Sequence, residues 1–74
     1  MAKKDEALVR LGANLRRARE KRGWSQEELA HRCGVHRTYV GSVERGEYNV
    51  TVLTLRRFTS TLRILLHDAL RGVA

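Results

Sequence analysis

The chain has 74 residues, a mass of 8.5 kDa and a formal net charge of +7, from 15 Lys and Arg against 8 Asp and Glu. This length allows one domain, residues 1–74, and leaves too little core to enclose a substrate cavity and a catalytic shell, so it argues against an enzyme. The single Cys excludes an internal disulfide, and the excess positive charge favours a polyanionic partner.

The first predicted helix covers about residues 5–22. Its apolar residues recur at steps of three and four, which places them on one face and the arginines and lysines on the others. Gly23 follows Lys21 and Arg22, whose positive charges suit the negative end of the helix dipole. The apolar face consists of Leu8, Leu11, Leu15 and Ala18.

A second, shorter helix is predicted to begin almost at once. Residues 25–28, Ser-Gln-Glu-Glu, have the pattern of a capping box, with Ser25 as the N-cap and Glu28 as its partner. Gly34 is predicted to end this helix after about two turns. Trp24 precedes the cap and is predicted to pack in the core as a hydrophobic staple.

The third predicted helix covers about residues 36–45. Val40 and Val43 form its apolar face. A purely solvated opposite face would more often carry Glu, Lys and Gln than a helix-weakening Gly, so the observed face favours a binding role. That face consists of Arg37, Thr38, Gly41, Ser42 and Arg45.

Two more helices complete an all-α fold class. The fourth covers about residues 51–62, where Leu55, Phe58 and Leu62 share a stripe, and the fifth covers about residues 65–71 and stops at Gly72. No segment shows the alternation of a strand. The sequence therefore predicts five short helices.

Residues 25–45 have the pattern of a helix-turn-helix, two short helices joined through a Gly. On the second of them, Arg37 can donate two hydrogen bonds to guanine, and Thr38 can contact a base edge or a thymine methyl. Gly41 and Ser42 are small, so they are predicted to let the helix approach the floor of a major groove. The pattern of this segment predicts a domain that recognises the sequence of double-stranded DNA.

The same segment contains strings that resemble a known family. They are Gly23-Trp24-Ser25-Gln26-Glu27-Glu28-Leu29-Ala30, Cys33-Gly34-Val35, Tyr39-Val40 and Val43-Glu44-Arg45-Gly46. They look like the helix-turn-helix domain of phage-repressor and Cro-type regulators, and the resemblance covers about residues 8–70. It implies a five-helix, lambda-repressor-like DNA-binding domain.

Within that family, residues 36–46 followed by Asn49-Val50 are most similar to the small controller proteins of restriction-modification systems. This finer resemblance implies a homodimeric transcription factor that acts on its own operon. A phage-type repressor and the antitoxin of a toxin pair remain alternatives with the same fold. A non-specific nucleic-acid binder driven by charge alone is a further alternative.

The resemblance also assigns roles to individual residues. It implies that Gln26, at the start of the second helix, contacts a phosphate. It implies base contacts by Arg37, Thr38 and Ser42, with His36 and Gly41 at the margin, and backbone contacts by Arg45 and Asn49. Tyr39 is expected either to bind a phosphate through its hydroxyl or to close the edge of the core.

The resemblance pairs Glu44 with an arginine of the first helix, which maps to Arg19. A free carboxylate at this position would repel DNA phosphates, whereas a paired one would be neutralised and would join the third helix to the first. The pair is therefore expected to be structural.

The run Ile64, Leu65 and Leu66 is expected to contribute to a dimer interface. Three consecutive aliphatic side chains exceed what one helix face buries within its own domain. A two-fold partner would cover them, and dimerisation through the fourth and fifth helices is what the resemblance implies.

No metal site, cofactor, small-molecule ligand or membrane contact is expected. His31, Cys33 and His36 are close in sequence, but structural zinc needs four ligands and the next candidate, His67, is distant. Cys33 is predicted to be buried, and His31 and His67 to be exposed. A free thiol and no apolar signal-peptide stretch after Met1 predict a cytoplasmic location.

The charge is unevenly distributed along the chain. Residues 1–22 carry a net +5, residues 23–46 are neutral and residues 47–74 carry +2. Residues 23–46, which include the predicted DNA-contacting helix, thus carry no net charge. Charge predicts attraction to DNA, whereas recognition of sequence depends on the individual side chains of the third helix.

Overall fold

A computed structural model of the chain describes residues 5–73, which form five helices joined by short turns. They are α1 (Glu6–Lys21), α2 (Gln26–Cys33), α3 (Arg37–Glu44), α4 (Val52–Leu62) and α5 (Leu66–Ala69). No strand occurs among these residues, and the all-α prediction is confirmed. Residues 1–4 and 74, which the one-domain prediction includes, lie outside the described residues.

The first four helices each begin at a side-chain cap, as their sequences favour. The Asp5 carboxylate accepts a hydrogen bond from the Ala7 amide at 2.8 Å, and Ser25 Oγ accepts one from the Glu28 amide at 2.9 Å. α3 and α4 begin in the same way at His36 and Thr51. These caps account for the close agreement between predicted and observed helix starts.

The capping box predicted at Ser25 is only half formed. Ser25 accepts its hydrogen bond, but the Glu28 carboxylate accepts from Arg32 Nε at 2.7 Å instead of reaching back to the Ser25 amide. Because Arg32 lies one turn further along α2, it offers Glu28 a charged donor that competes with the backbone amide.

One apolar core joins the helices. α1 packs against α3, α4 and α5, while α2 packs against α3 and α4. The predicted apolar faces meet in this core, where the largest fully buried side chains are Leu15, Leu29, Val40, Phe58 and Leu62. Between α1 and α3 the approach is so close that a Cβ on Gly12 would collide with the carbonyl oxygens of Val43 and Glu44.

Two hydrophobic residues pack against the core without being enclosed by it. Trp24 is half-buried at the edge of the core, and its ring lies 4.4 Å from the Arg32 guanidinium carbon and 5.3 Å from that of Arg22. The two guanidinium groups are within cation–π distance of the ring. Ile64 is half-buried against the core, whereas Leu65 and Leu66 are 65% and 38% exposed.

Ile64 is half-buried against the core of the single chain, and its assignment to a dimer interface stays a prediction. The chain turns at Arg63, whose backbone is left-handed, and the Ile64 amide donates to the Thr59 carbonyl, which returns the Ile64 side chain to the core. Leu65 and Leu66 remain on the outside.

α5 is shorter than predicted. Leu65 is its N-cap but has no polar side chain, and the Asp68 carboxylate instead accepts from the Leu65 amide at 3.4 Å. The helix ends at Ala69, before Gly72, with only one turn formed. Within residues 5–73, no helix combines the length and the hydropathy required to cross a bilayer.

Candidate nucleic-acid interface

The turn between α2 and α3 sets the relative position of the two helices. Gly34 has φ +76°, a left-handed conformation that Gly adopts without the steric cost of a Cβ. The Val35 amide then donates to the Ala30 carbonyl at 3.0 Å, and Val35 packs against the core. The predicted helix-turn-helix arrangement of residues 25–45 is therefore present.

The start of α2 and the exposed face of α3 border a common hollow of about 610 Å³. Five residues predicted from the sequence to contact DNA line it, and these are Gln26, Arg37, Thr38, Gly41 and Arg45. Ser25, Glu27 and Arg19 complete the lining. The fold thus brings predicted base-contacting and phosphate-contacting residues to one surface.

Arg37 is the most prominent cation of this surface. Its side chain is 68% exposed, and its Nη1 lies 3.5 Å from the Glu27 carboxylate, which is itself 75% exposed. An ion pair so open to water contributes little, so the guanidinium is free to exchange Glu27 for another hydrogen-bond acceptor. Thr38 is exposed beside it, and its amide is capped by His36 Nδ1 at 3.0 Å.

The middle of α3 is less open than the sequence predicts. Gly41 is buried beneath two side chains. Arg45 Nη1 and Gln26 Oε1 lie 3.1 and 3.5 Å from the position that a Cβ at Gly41 would occupy. The clearance expected for DNA is therefore occupied by side chains of this chain. Ser42 is half-buried rather than fully exposed. The absence of a side chain at position 41 lets the ends of the Gln26 and Arg45 side chains lie close to α3.

The Arg19–Glu44 ion pair is present and buried. Arg19 Nε and Nη2 donate to the two Glu44 carboxylate oxygens at 2.7 and 3.0 Å, and each residue is 8% exposed. Arg19 Nη1 also donates to the Trp24 carbonyl at 2.8 Å. The hydrogen bond with Glu44 raises the pKa of Arg19 even though burial opposes the charged form.

Gln26 belongs to the same network. Its Nε2 donates to Glu44 Oε1 at 3.0 Å, so the Glu44 carboxylate accepts from three donors on α1 and α2. The side chain that the family resemblance assigns to a phosphate is thus held in place by the residue that joins α3 to α1. The sequence did not predict this link.

Tyr39 lies between the core and the surface. Its ring packs edge-on against Tyr48, with centroids 4.8 Å apart, and is stacked 6.1 Å from Phe58. Burial raises the pKa of the hydroxyl, against the smaller opposite effect of a hydrogen bond with Thr54. The position accommodates either of the roles expected for Tyr39.

The remaining predicted contact residues lie along the rim. His36 is exposed and caps α3, while Arg45 is exposed at its other end with Nε 3.1 Å from Glu47 Oε1. Asn49 is exposed in the segment before α4. Glu27 was not predicted as a site residue. Its position in the capping box indicates a role at the start of α2, and the sequence gives no sign of its ion pair with Arg37.

The residues considered for a metal site are not gathered together. Cys33 is buried, and that burial raises the pKa of its thiol, whereas His31 and His67 are exposed. Among residues 5–73, no group of three or more His, Cys, Asp or Glu side chains is arranged to hold a metal ion.

The chain is similar in sequence to known helix-turn-helix regulators. A protein-family model described as helix-turn-helix matches residues 15–67. Control protein C.SmaI of Serratia marcescens is 56% identical over 45 residues, 61% of this chain and 54% of that protein. A hypothetical transcription factor of Neisseria meningitidis is 40% identical over 60 residues, 81% of this chain and 57% of that protein.

A solved structure agrees over a larger share of both chains. The restriction-modification controller protein C.AhdI from Aeromonas hydrophila superposes with a TM-score of 0.81 at 40% identity, covering 84% of this chain and 94% of that one. By contrast, the chain spans just over half the length of the two curated relatives above. The resemblance to helix-turn-helix regulators, and to controller proteins among them, is confirmed.

Proposed function

Since this chain belongs to the helix-turn-helix family, we propose that it is a sequence-specific DNA-binding transcription regulator, the controller of a restriction-modification system. The names of C.SmaI and C.AhdI support the controller role, and the surface between α2 and α3 supports DNA binding. The proposal places the protein in the cytoplasm as a homodimer on a symmetric operator.

The observation that carries this proposal is the shared surface of α2 and α3. Gln26 lies at the start of α2, where free backbone N–H groups and the helix dipole favour a phosphate. Arg37 and Thr38 lie exposed on the first turn of α3, from which side chains reach base edges in a major groove. One placement on DNA therefore serves both kinds of contact.

Binding exchanges weak contacts of the free protein for stronger ones. Arg37 leaves Glu27 and donates to guanine O6 and N7, a bidentate contact that carries sequence information. Gln26, held by Glu44, donates its remaining hydrogen-bond capacity to a phosphate and sets the register. Ser42, His36 and Asn49 complete the interface at its edges.

Arg37→Ala is expected to cost about 1 to 3 kcal/mol in binding free energy and to relax the preference at one base position. Gln26→Ala is expected to weaken all sequences alike, because a phosphate contact carries no base information. Affinities for the operator and for single-base variants, measured by fluorescence anisotropy at fixed salt, compare the two. If Arg37→Ala weakens every DNA equally, Arg37 is a phosphate contact.

The exposed Leu65 and Leu66 are proposed to meet a second copy of the chain. Leu65→Lys is expected to raise the dimer dissociation constant about 10²- to 10⁴-fold, because each buried Leu contributes about 1.5 to 3 kcal/mol and the two-fold axis counts it twice. Sedimentation equilibrium measures the constant. Leu65→Met, which keeps the apolar surface, is the control, and a Leu65→Lys variant that stays dimeric would refute this placement.

The direct test of the proposal is to select binding sites from random DNA and to footprint the region upstream of the gene. A sequence-specific dimer protects an imperfect palindrome with half-sites about one helical turn, roughly 34 Å, apart. Protection beside the gene's own promoter supports the controller role. Uniform protection that disappears steeply with salt supports a non-specific binder instead.

A further inference from the structure

A positively charged cleft lies where the C-terminal ends of α1 and α4 meet α5. Its volume is about 570 Å³, within the range of small-ligand sites. Asp68 is the only carboxylate among the described residues that line it. The five cationic side chains of the lining are Arg17, Lys21, Arg22, Arg63 and Arg71.

The cleft is separate from the surface proposed to bind DNA. Arg17 and Lys21 are four residues apart and share one face of α1, whereas Arg19, between them, is turned about 160° away toward Glu44. No described residue lines both the cleft and the hollow between α2 and α3. The cleft is therefore lined by residues other than those to which we assign DNA contacts in that hollow.

The charge of the cleft is not neutralised within residues 5–73. Asp68 accepts from Arg71 at 3.1 Å, and Arg22 Nε donates to the Leu62 carbonyl at 2.8 Å. The C-terminal ends of α1 and α4 each contribute only about half a negative charge. Arg17 Nη2 donates to Asn14 Oδ1 at 2.6 Å, so the side chains of Lys21 and Arg63 are the two of the five cations without a hydrogen-bond or ion-pair partner among the described residues. About three positive charges remain in excess.

Arg63 occupies an unusual backbone position. It caps the C-terminus of α4 with φ +57° and ψ +47°, and it is the only residue other than Gly with a positive φ among those described. Glycine is favoured at such a cap because it has no Cβ. Arg63 lines both this cleft and the neighbouring hollow beside Trp24, so a cationic residue stands between them at a position where the backbone favours Gly.

From these observations we propose that the cleft binds a small, multiply phosphorylated anion, such as the polyphosphate group of a nucleotide. Arginine and lysine are the side chains that proteins use for phosphate, and Arg17, Lys21 and Arg63 converge on one concave surface. Ala18 and Ile64 supply a half-buried apolar floor for the uncharged part of such a ligand. This revises the expectation that no small molecule binds.

The test is isothermal titration of the full chain with sodium tripolyphosphate and with ATP, at about 0.15 M salt. Both are expected to bind, whereas adenosine, which lacks phosphate, does not. Arg63→Gly is expected to lower the affinity for both at least about tenfold while the Tm stays equal or rises, because Gly suits the left-handed cap. Arg56→Ala, an exposed arginine of α4 outside the cleft, is the matched control and is expected to change affinity less than about twofold.

Three results would overturn the proposal. The first is no binding of tripolyphosphate or ATP to the wild-type chain. The second is an equal loss in Arg63→Gly and Arg56→Ala, which indicates diffuse attraction. The third is an amide chemical-shift map in which tripolyphosphate perturbs α3 and not α1 and α5. Operator binding by Arg63→Gly is measured in parallel, so a failure here is distinguishable from a failure of DNA recognition.

Discussion

Glu44→Ala is expected to lower the free energy of unfolding by about 3 to 5 kcal/mol and to abolish DNA binding, because it leaves the Arg19 guanidinium buried without its counter-charge. The substitution also removes the acceptor that holds Gln26 Nε2. A domain of this size has a stability margin of only a few kcal/mol, so a loss of this magnitude leaves much of it unfolded.

Urea titration followed by circular dichroism measures this loss. Glu28→Ala is the matched control, because Glu28 also pairs with an arginine, but that pair is about half exposed and contributes at most about 1 kcal/mol. Glu44→Gln keeps an acceptor without the charge and is expected to lie between the two. A Glu44→Ala variant with wild-type stability and operator affinity would show that the pair is dispensable.

Gly46→Ala has the second large expected effect, a loss of about 2 to 5 kcal/mol in unfolding free energy. Gly46 has φ +75°, where an L-residue costs about 1 to 2 kcal/mol. Its new Cβ would also lie 2.7 Å from the backbone N and Cα of Val9 on α1, an overlap that costs about 1 to 3 kcal/mol more. Backbone atoms cannot move aside as a flexible side chain can.

Gly23→Ala separates the two contributions. Gly23 has nearly the same φ, +74°, but nothing lies within 4 Å of an added Cβ. It is therefore expected to show the conformational cost alone, about 1 to 2 kcal/mol. Thermal and urea unfolding of both variants give the difference, and equal losses would mean that the contact with Val9 relaxes freely.

The close contacts at Gly46 and Gly12 also hold α3 in a fixed position relative to α1. Both fix the C-terminal end of α3 against α1, and the Arg19–Glu44 pair joins the same two helices. With its end held in this way, α3 keeps its first turn, with Arg37 and Thr38, open to solvent. A rigid support for exposed contact residues lowers the ordering cost of binding.

The helices themselves were largely predictable. Ser25 and Thr51 cap their helices through contacts with amides three residues away, and Gly34 ends α2 through its own φ angle. Such signals are local, so sequence position alone locates them. α5 was less predictable, because its N-cap, Leu65, provides no side-chain hydrogen bond.

The residues of the candidate surface were predicted better than their environments. Five of them line one hollow, and the Arg19–Glu44 pair expected from the family resemblance is present. The burial of Gly41 was not predictable, because it depends on the ends of the Gln26 side chain from α2 and the Arg45 side chain from the C-cap of α3 lying beside it. The inward turn of Ile64 likewise depends on the left-handed backbone of Arg63.

By itself, the sequence of this protein determined five helices, the Ser25 cap of the second, the apolar faces of the longer helices, and a small polar face on the third helix. Periodicity and capping depend on residues three or four positions apart, and they can therefore be recognised in the sequence alone. Only the tertiary structure decided that Glu44 holds Gln26 as well as Arg19, and that Arg17, Lys21 and Arg63 meet in one cleft. Arg63 is far in sequence from Arg17 and Lys21, and Glu44 is far from Arg19 and Gln26, so only the packing of helices brings these charges together.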